Sequence, residues 1–96
     1  MKNKMIRQLY MFTLKNKEKD KMEFLKTAEN LRKTDGIKRV EIVENAEKAP
    51  CDYDIALMLD FDNREKLEAY ETSQIYSKLE MFAQKIERVK IRLLSY

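Results

Sequence analysis

Residues Tyr53 to Tyr70 constrain this chain more than any other stretch, because a strand pattern runs without interruption into a helix start. Tyr53, Ile55, Leu57, Leu59 and Phe61 recur with a period of two, the spacing of side chains on one face of a strand. Asp62 stands three residues before Glu65, the spacing of a capping box in which each side chain satisfies a free backbone N–H at a helix N-terminus. Leu67 and Tyr70 then recur at helical spacing. A strand that feeds directly into a helix is a packing unit: the apolar face of the one must meet the apolar stripe of the other.

The flanking sequence supplies further strands and helices, without internal repeats. Residues 5–14 alternate, with Ile6, Gln8, Tyr10, Phe12 and Leu14 on one parity and Met5, Arg7, Leu9, Met11 and Thr13 on the other. Both faces carry apolar residues, so both are expected to be covered. Residues 17–34 read as a helix with Phe24, Leu25, Ala28 and Leu31 on one stripe, and the single glycine, Gly36, is placed to end it in a left-handed conformation. Ile37 to Glu44 is a second strand, and Asn45 to Asp52, broken by Ala49-Pro50, is a loop. After the helix that ends near Tyr70, a break at Thr72-Ser73 precedes further helical turns carrying Ile75, Leu79 and Phe82. A last strand covers about Ile86 to Leu94. The order is βαββαβ, an α+β fold whose usual pairing is a four-stranded antiparallel sheet with the helices on one face.

Parity assigns the faces. Tyr10, Phe12, Val40, Ile42, the odd residues from Tyr53 to Phe61, and Val89, Ile91 and Leu93 should meet the helices, with Gln8 among them. The opposite face carries Leu9, Met11, Val43, Ala56, Met58, Leu94 and Tyr96 beside Arg7, Arg39, Glu41, Asp54, Asp60, Arg88, Lys90 and Arg92. An apolar centre ringed by both signs of charge has the make-up of an interface, and the partner expected is a second copy of this chain. Size argues the same way. A chain of 96 residues makes one domain over 1–96 and buries only about 60 to 65 % of its unfolded surface, so a partner that extends the core is welcome.

Charge and composition exclude several classes. Twenty Lys and Arg against 17 Asp and Glu leave a net charge of +3, too weak and mixed to point to nucleic acid. No run approaches the roughly 18 apolar residues of a membrane span. The N-terminal apolar run is broken by Arg7 and Gln8 and has no small-residue cleavage site after it, so it reads as a strand, not a signal peptide. A cytoplasmic location is expected, consistent with a single cysteine, Cys51, and no intrachain disulfide.

Met5-Ile-Arg-Gln-Leu-Tyr-Met-Phe-Thr-Leu-Lys15, Gly36-Ile37 and Tyr53-Asp54 through Tyr70 together resemble the stress-responsive A/B barrel family, the Dabb domains of the dimeric α+β barrel superfamily. The resemblance covers nearly the whole chain. It implies a ferredoxin-like protomer and a homodimer whose two sheets form a barrel. It also implies a pocket between sheet and helices, where family members often carry a histidine in the first strand and a His-Pro-x-His segment after the second-helix tyrosine. Members that close rings are understood to use such histidines for proton transfer, which suits a group titrating near neutral pH. This chain contains no histidine: it has Gln8 in the first strand and Ser73-Gln74-Ile75-Tyr76 after Tyr70.

The site this leaves is a small cavity edged by Gln8, Tyr10, Tyr70, Ser73 and Tyr76, suited to an apolar or aromatic ligand held by a few hydrogen bonds. A filled core with polar tips bonded to backbone is the simpler reading of the same residues. The function expected is a non-catalytic homodimeric module, structural or ligand-binding, needing no cofactor. The alternative is a cofactor-free enzyme, of cyclase, isomerase or monooxygenase type, acting on an aromatic or polyketide-like molecule. It requires Tyr10, Tyr70 or Tyr76 to act as acid or base with a strongly perturbed pKa.

Other features read more simply as structure. Arg88, Lys90 and Arg92 on one strand could face phosphate, but no glycine-containing aromatic RNA motif accompanies them, and cross-strand pairing with Asp54, Asp60 and Glu41 accounts for them. Lys15, Lys17, Lys19 and Lys21 alternate with Glu18, Asp20 and Glu23 as on a solvated helix start, which leaves no membrane-surface role. Cys51 lacks basic neighbours that would activate it. Asp54, Asp60 and Asp62 alternate along a strand instead of wrapping around an ion, so no metal is expected.

Overall fold

The computed structural model describes residues 4–45 and 53–95, and the loop expected between the second and third strands falls largely outside that range. The elements follow the order β1 (Lys4–Leu14), α1 (Lys17–Glu29), a 3-10 turn (Asn30–Lys33), β2 (Ile37–Glu44), β3 (Ile55–Phe61), α2 (Arg64–Glu71), α3 (Gln74–Phe82) and β4 (Ala83–Ser95). The four strands form one sheet in the order β2-β3-β1-β4 with every neighbour antiparallel. The two most apolar strands, β1 and β3, are therefore central, and β2 and the charged β4 are the edges.

The core lies between the sheet and the helices. Ile6, Tyr10, Phe12 and Leu14 of β1, and Ile55, Leu57, Leu59 and Phe61 of β3, meet Phe24, Ala28, Leu31, Leu67, Tyr70, Tyr76 and Leu79. This is the face that the period-two pattern assigns to the helices. At the far end of β1, the Leu14 N–H donates to Asp54 Oδ2 at 2.8 Å, which fixes the exit of the strand.

Three local features differ from the sequence expectation. The first helix is α-helical only to Glu29 and tightens into the 3-10 turn. Leu31 stays buried there, and the Arg32 guanidinium donates to Val40 O at 2.8 Å. Gly36 is left-handed as expected (φ 87°), but it stands in the turn into β2, three residues past the 3-10 turn. A Cβ there would fall 2.5 Å from Lys66 Cδ, so the position excludes a side chain twice over, by conformation and by space. The cap of α2 is Asn63, not Asp62: its side chain accepts from Lys66 N at 2.9 Å, while the Asp62 N–H is already used by Gly36 O. Asn63→Ala is expected to cost about 1 kcal/mol, read as a lowered urea midpoint at unchanged slope.

The larger correction concerns β4. Arg7 pairs with Arg92 and Gln8 with Lys90, so Ile91 is an extra residue, a β-bulge. One extra residue inverts parity. Val89, expected under the helices, pairs with Leu9 in the open-face row and is 41 % exposed. Arg88, expected on the open face, pairs with Tyr10 and reaches the helix side. Of the basic stripe, Arg88 bonds Tyr76 in place of the expected cross-strand carboxylate, while the side chains of Lys90 and Arg92 lie outside the described residues; Asp60 holds Arg7, Glu41 holds Arg39, and Asp54 lies 3.8 Å from Lys17.

Candidate functional site

β1 presents Gln8 and Tyr10 on its helix side, the last turn of α2 presents Tyr70 and Glu71, and the first turn of α3 presents Tyr76. Three phenol rings meet there. Tyr70 and Tyr76 have centroids 5.1 Å apart at 70°, Tyr10 and Tyr70 5.8 Å apart at 65°, and Tyr10 and Tyr76 5.9 Å apart at 56°. Phe61 closes the group 5.5 Å from Tyr70. These are the edge-to-face and tilted contacts that aromatic quadrupoles favour. The rings occupy the space between sheet and helices, each nearly inaccessible to solvent.

Each hydroxyl has a different fate. Tyr10 Oη donates to Glu71 Oε2 at 2.9 Å, and Gln8 Nε2 donates to the same carboxylate oxygen at 3.1 Å and to Tyr10 Oη at 3.0 Å. Tyr76 Oη accepts from Arg88 Nε at 2.8 Å and from Arg88 Nη2 as well. Tyr70 Oη is buried and makes no hydrogen bond among the described residues. Ser73 does not belong to this group: its hydroxyl donates to Tyr70 O at 2.6 Å and accepts from Tyr76 N at 3.3 Å, capping α3. Its role is to hold the two-residue break from which the Tyr76 side chain projects.

Electrostatics make the phenols poor proton donors and acceptors in solution terms. Burial, then the neighbouring Tyr70 and Glu71, push Tyr10 far above the usual tyrosine range, and burial does the same to Tyr70. Tyr76 is raised by burial, with Arg88 working against the rise. Burial opposes the charge on Arg88, but Tyr76 and the carboxylate of Glu71 hold it above its ordinary value. All three phenols are therefore protonated across the neutral range.

Glu71 and Arg88 are the members of the site that the sequence did not disclose. Glu71 follows Tyr70 directly on α2, where a helical stripe would turn it aside. Arg88 reaches the helix side only because of the β4 bulge.

The opposite sheet face carries the residues expected at a dimer interface. Cross-strand register sets Leu9 between Met58 and Val89, Met11 between Ala56 and Glu87, and Val43 beside Ala56. Val43 is 49 % exposed, Leu9, Met11 and Met58 are half-buried, and Ala56 is buried. Leu94 pairs with Met5 in register, although its side chain and all of Tyr96 lie outside the described residues, as does Cys51. Arg7 and Asp60 form a two-bond pair on this face, Nε to Oδ1 at 2.7 Å and Nη2 to Oδ2 at 2.9 Å. A cleft of about 90 Å³ lined by Met11, Thr13, Tyr53, Lys85 and Glu87 lies at the other end of these strands. Among the described residues no cluster of carboxylates or cysteine is arranged to hold a metal ion, and no helix is long and apolar enough to cross a membrane.

A βαββαβ protomer with this strand order and its helices on one face is a ferredoxin-like α+β domain. The family model described as the stress responsive A/B barrel domain (Dabb) matches residues 6–91, and the chain belongs to that family. Among solved structures, a Dabb family protein with a ferredoxin-like fold from Mesorhizobium loti is similar at a TM-score of 0.75 and 18 % identity, over 95 % of this chain and 98 % of that one. A dimeric ferredoxin-like protein of unknown function from Thermobifida fusca is similar at a TM-score of 0.76 and 14 % identity, over 93 % of this chain and 91 % of that one. The hydroxynitrile lyase of Passiflora edulis is similar at a TM-score of 0.70 and 13 % identity, over 96 % of this chain and 91 % of that one. At these identities the likeness is one of fold. No curated protein matches the sequence.

Proposed function

We propose that this protein is a cytoplasmic homodimer that acts as a non-catalytic module, binding a small apolar or aromatic ligand beneath its helices. The observation that carries the dimer is the open sheet face, where Leu9, Met11, Met58, Val43 and Val89 form an apolar centre bordered by Arg39, Glu41, Lys85 and Glu87. Several similar structures are described as dimeric, which supports the same assembly. The ligand half of the reading is supported by the buried Tyr70 hydroxyl, which stands among aromatic walls with no hydrogen-bond partner among the described residues.

An unpaired buried hydroxyl carries a stability cost. Tyr70→Phe is therefore expected to leave the free protein unchanged or to stabilise it by about 1 kcal/mol. A denaturation midpoint that falls instead would mean that the hydroxyl has a structural partner and would count against the ligand site.

The non-catalytic half rests on the upward shift of all three phenols, which denies them an ionised form at neutral pH. The enzyme reading keeps one specific support, the Glu71 carboxylate set against Tyr10 and Gln8, which could accept a proton where a histidine is lacking. Light scattering tests the dimer, and titration calorimetry with small aromatic compounds tests the ligand. Turnover of such a compound that is abolished by Glu71→Gln, with ligand affinity retained, would decide for the enzyme.

A further inference from the structure

We infer that the ligand taken by this site is an aromatic carboxylate, its ring replacing that of Tyr76 and its carboxylate seated on Arg88. The inference rests on the ligand-binding half of the proposed function and names the class of ligand.

The guanidinium supplies the first reason. Arg88 directs Nε and Nη2, the two parallel donors of one edge, at a single neutral oxygen, Tyr76 Oη. That edge matches the two oxygens of a carboxylate, and a charged acceptor makes roughly twice the bond that a neutral one does. Of the nearby carboxylates, Glu71 is engaged elsewhere and Glu80 forms a long, solvent-exposed ion pair with Arg88 that a ligand carboxylate must displace. Glu71 Oε2 is engaged by Gln8 and Tyr10, and Glu80 Oε2 stands 3.8 Å from Nη2 on a side chain 45 % exposed. Arg88 is itself 47 % exposed along its side chain, so a ligand anion can reach it from solvent.

Tyr70 supplies the second reason, and it is independent of the first. Its hydroxyl is buried and has no hydrogen-bond partner among the described residues, where Tyr76, Glu71, Arg88 and Glu80 are the groups that bear on it. A phenol at neutral pH is a donor, so what it lacks is an acceptor oxygen. A carboxylate held by both oxygens on Arg88 keeps a further lone pair on each, and one of these can accept the Tyr70 proton.

The aromatic part follows from the walls. Tyr10 and Tyr70 pack against the Tyr76 ring, so whatever leaves with that ring must be replaced by a flat apolar group of like size. Tyr76 lies in the first turn of α3, directly after the Thr72-Ser73 break, and the polar hold on its side chain is the exposed Arg88. Exchange of one ring for another therefore leaves the sheet and α2 in place.

The test is titration calorimetry of the full chain with benzoate, phenol and benzylamine. Benzoate is expected to bind wild type about tenfold or more tightly than phenol, the scale of a charge-assisted pair over a neutral bond. Arg88→Gln should weaken benzoate by about tenfold or more and leave phenol unaffected, and Tyr70→Phe, which keeps the fold, should weaken benzoate by about fivefold. Tyr76→Phe removes the oxygen that competes for Arg88 and should tighten benzoate by about threefold or more. Binding of phenol or benzylamine as tight as benzoate, or benzoate affinity indifferent to Arg88 and Tyr76, overturns the carboxylate assignment while leaving a ligand site. Absence of binding by all three compounds overturns both.

Discussion

Met58→Asp is expected to convert the protein to a monomer or to an insoluble chain. Met58 is half-buried in the protomer and sits mid-sheet, opposite Leu9 on β1 and Glu41 on β2. In a face-to-face dimer that position becomes fully desolvated, and an unpaired carboxylate there costs several kcal/mol. Glu41 alongside adds like-charge repulsion. Met11→Asp, one row along the same strand pair, should behave in the same way. The variants ought to retain the circular dichroism of the protomer where they stay soluble, because neither side chain belongs to the core beneath the helices. Met22→Asp is the control: Met22 is 64 % exposed on α1, on the other side of the molecule, and should leave the assembly unchanged. If light scattering finds Met58→Asp and Met11→Asp both still dimeric, the interface lies elsewhere.

Much of this architecture was legible because period and burial are coupled. In β3 the pattern Ile55, Leu57, Leu59, Phe61 needs no tertiary knowledge, since a strand in regular register alternates faces. The helix break at Thr72-Ser73 and the left-handed glycine at position 36 were equally readable from local chemistry. What failed was regularity itself. The bulge at Ile91 inserts one residue with no side-chain signature, and from there the parity of β4 inverts, carrying Arg88 to the helix side and Val89 to the open one. The cap shifted from Asp62 to Asn63 for a similar reason. Either side chain can cap a helix; the Asp62 backbone is still tied to the turn before β2 through its N–H on Gly36 O, 26 residues away in sequence, and the helix starts one residue later, with Asn63 as its cap.

The candidate site was partly legible for the same cause. Gln8, Tyr10, Tyr70 and Tyr76 come together because each lies on the core-facing side of a regular element. Ser73 was readable as a break in the helix, but its hydroxyl is consumed by the cap of α3. Glu71 and Arg88 required knowledge of how a helix end and a bulged strand meet. They are also the charged members, so the sequence disclosed the aromatic walls of the site and withheld its polarity.

Phe24→Ala is expected to be the most destabilising of the substitutions considered, by about 3–5 kcal/mol. Phe24 is inaccessible to solvent and joins three elements at once. Its ring meets Phe12 of β1 at 4.8 Å and 65°, and Phe82 at the end of α3 at 6.4 Å and 68°. The void left by truncation would be walled by a central strand and by two helices, one of them tethered where Lys15 N donates to Phe82 O at 2.9 Å. Walls held in this way collapse poorly, and the cost of a cavity rises with the volume that remains. For a domain of this size each kcal/mol lowers the melting temperature by about 4–8 °C, so the variant should melt some tens of degrees early. Concentration separates this loss from that of Met58→Asp. Dimerisation stabilises by mass action, so the stability of the wild type should rise with protein concentration. Phe24→Ala should keep that slope and fall at every concentration, whereas Met58→Asp should lose the slope itself. A wild-type melting temperature that does not move with concentration would detach the open sheet face from any partner and leave the core around Phe24 as the whole of the molecule's stability.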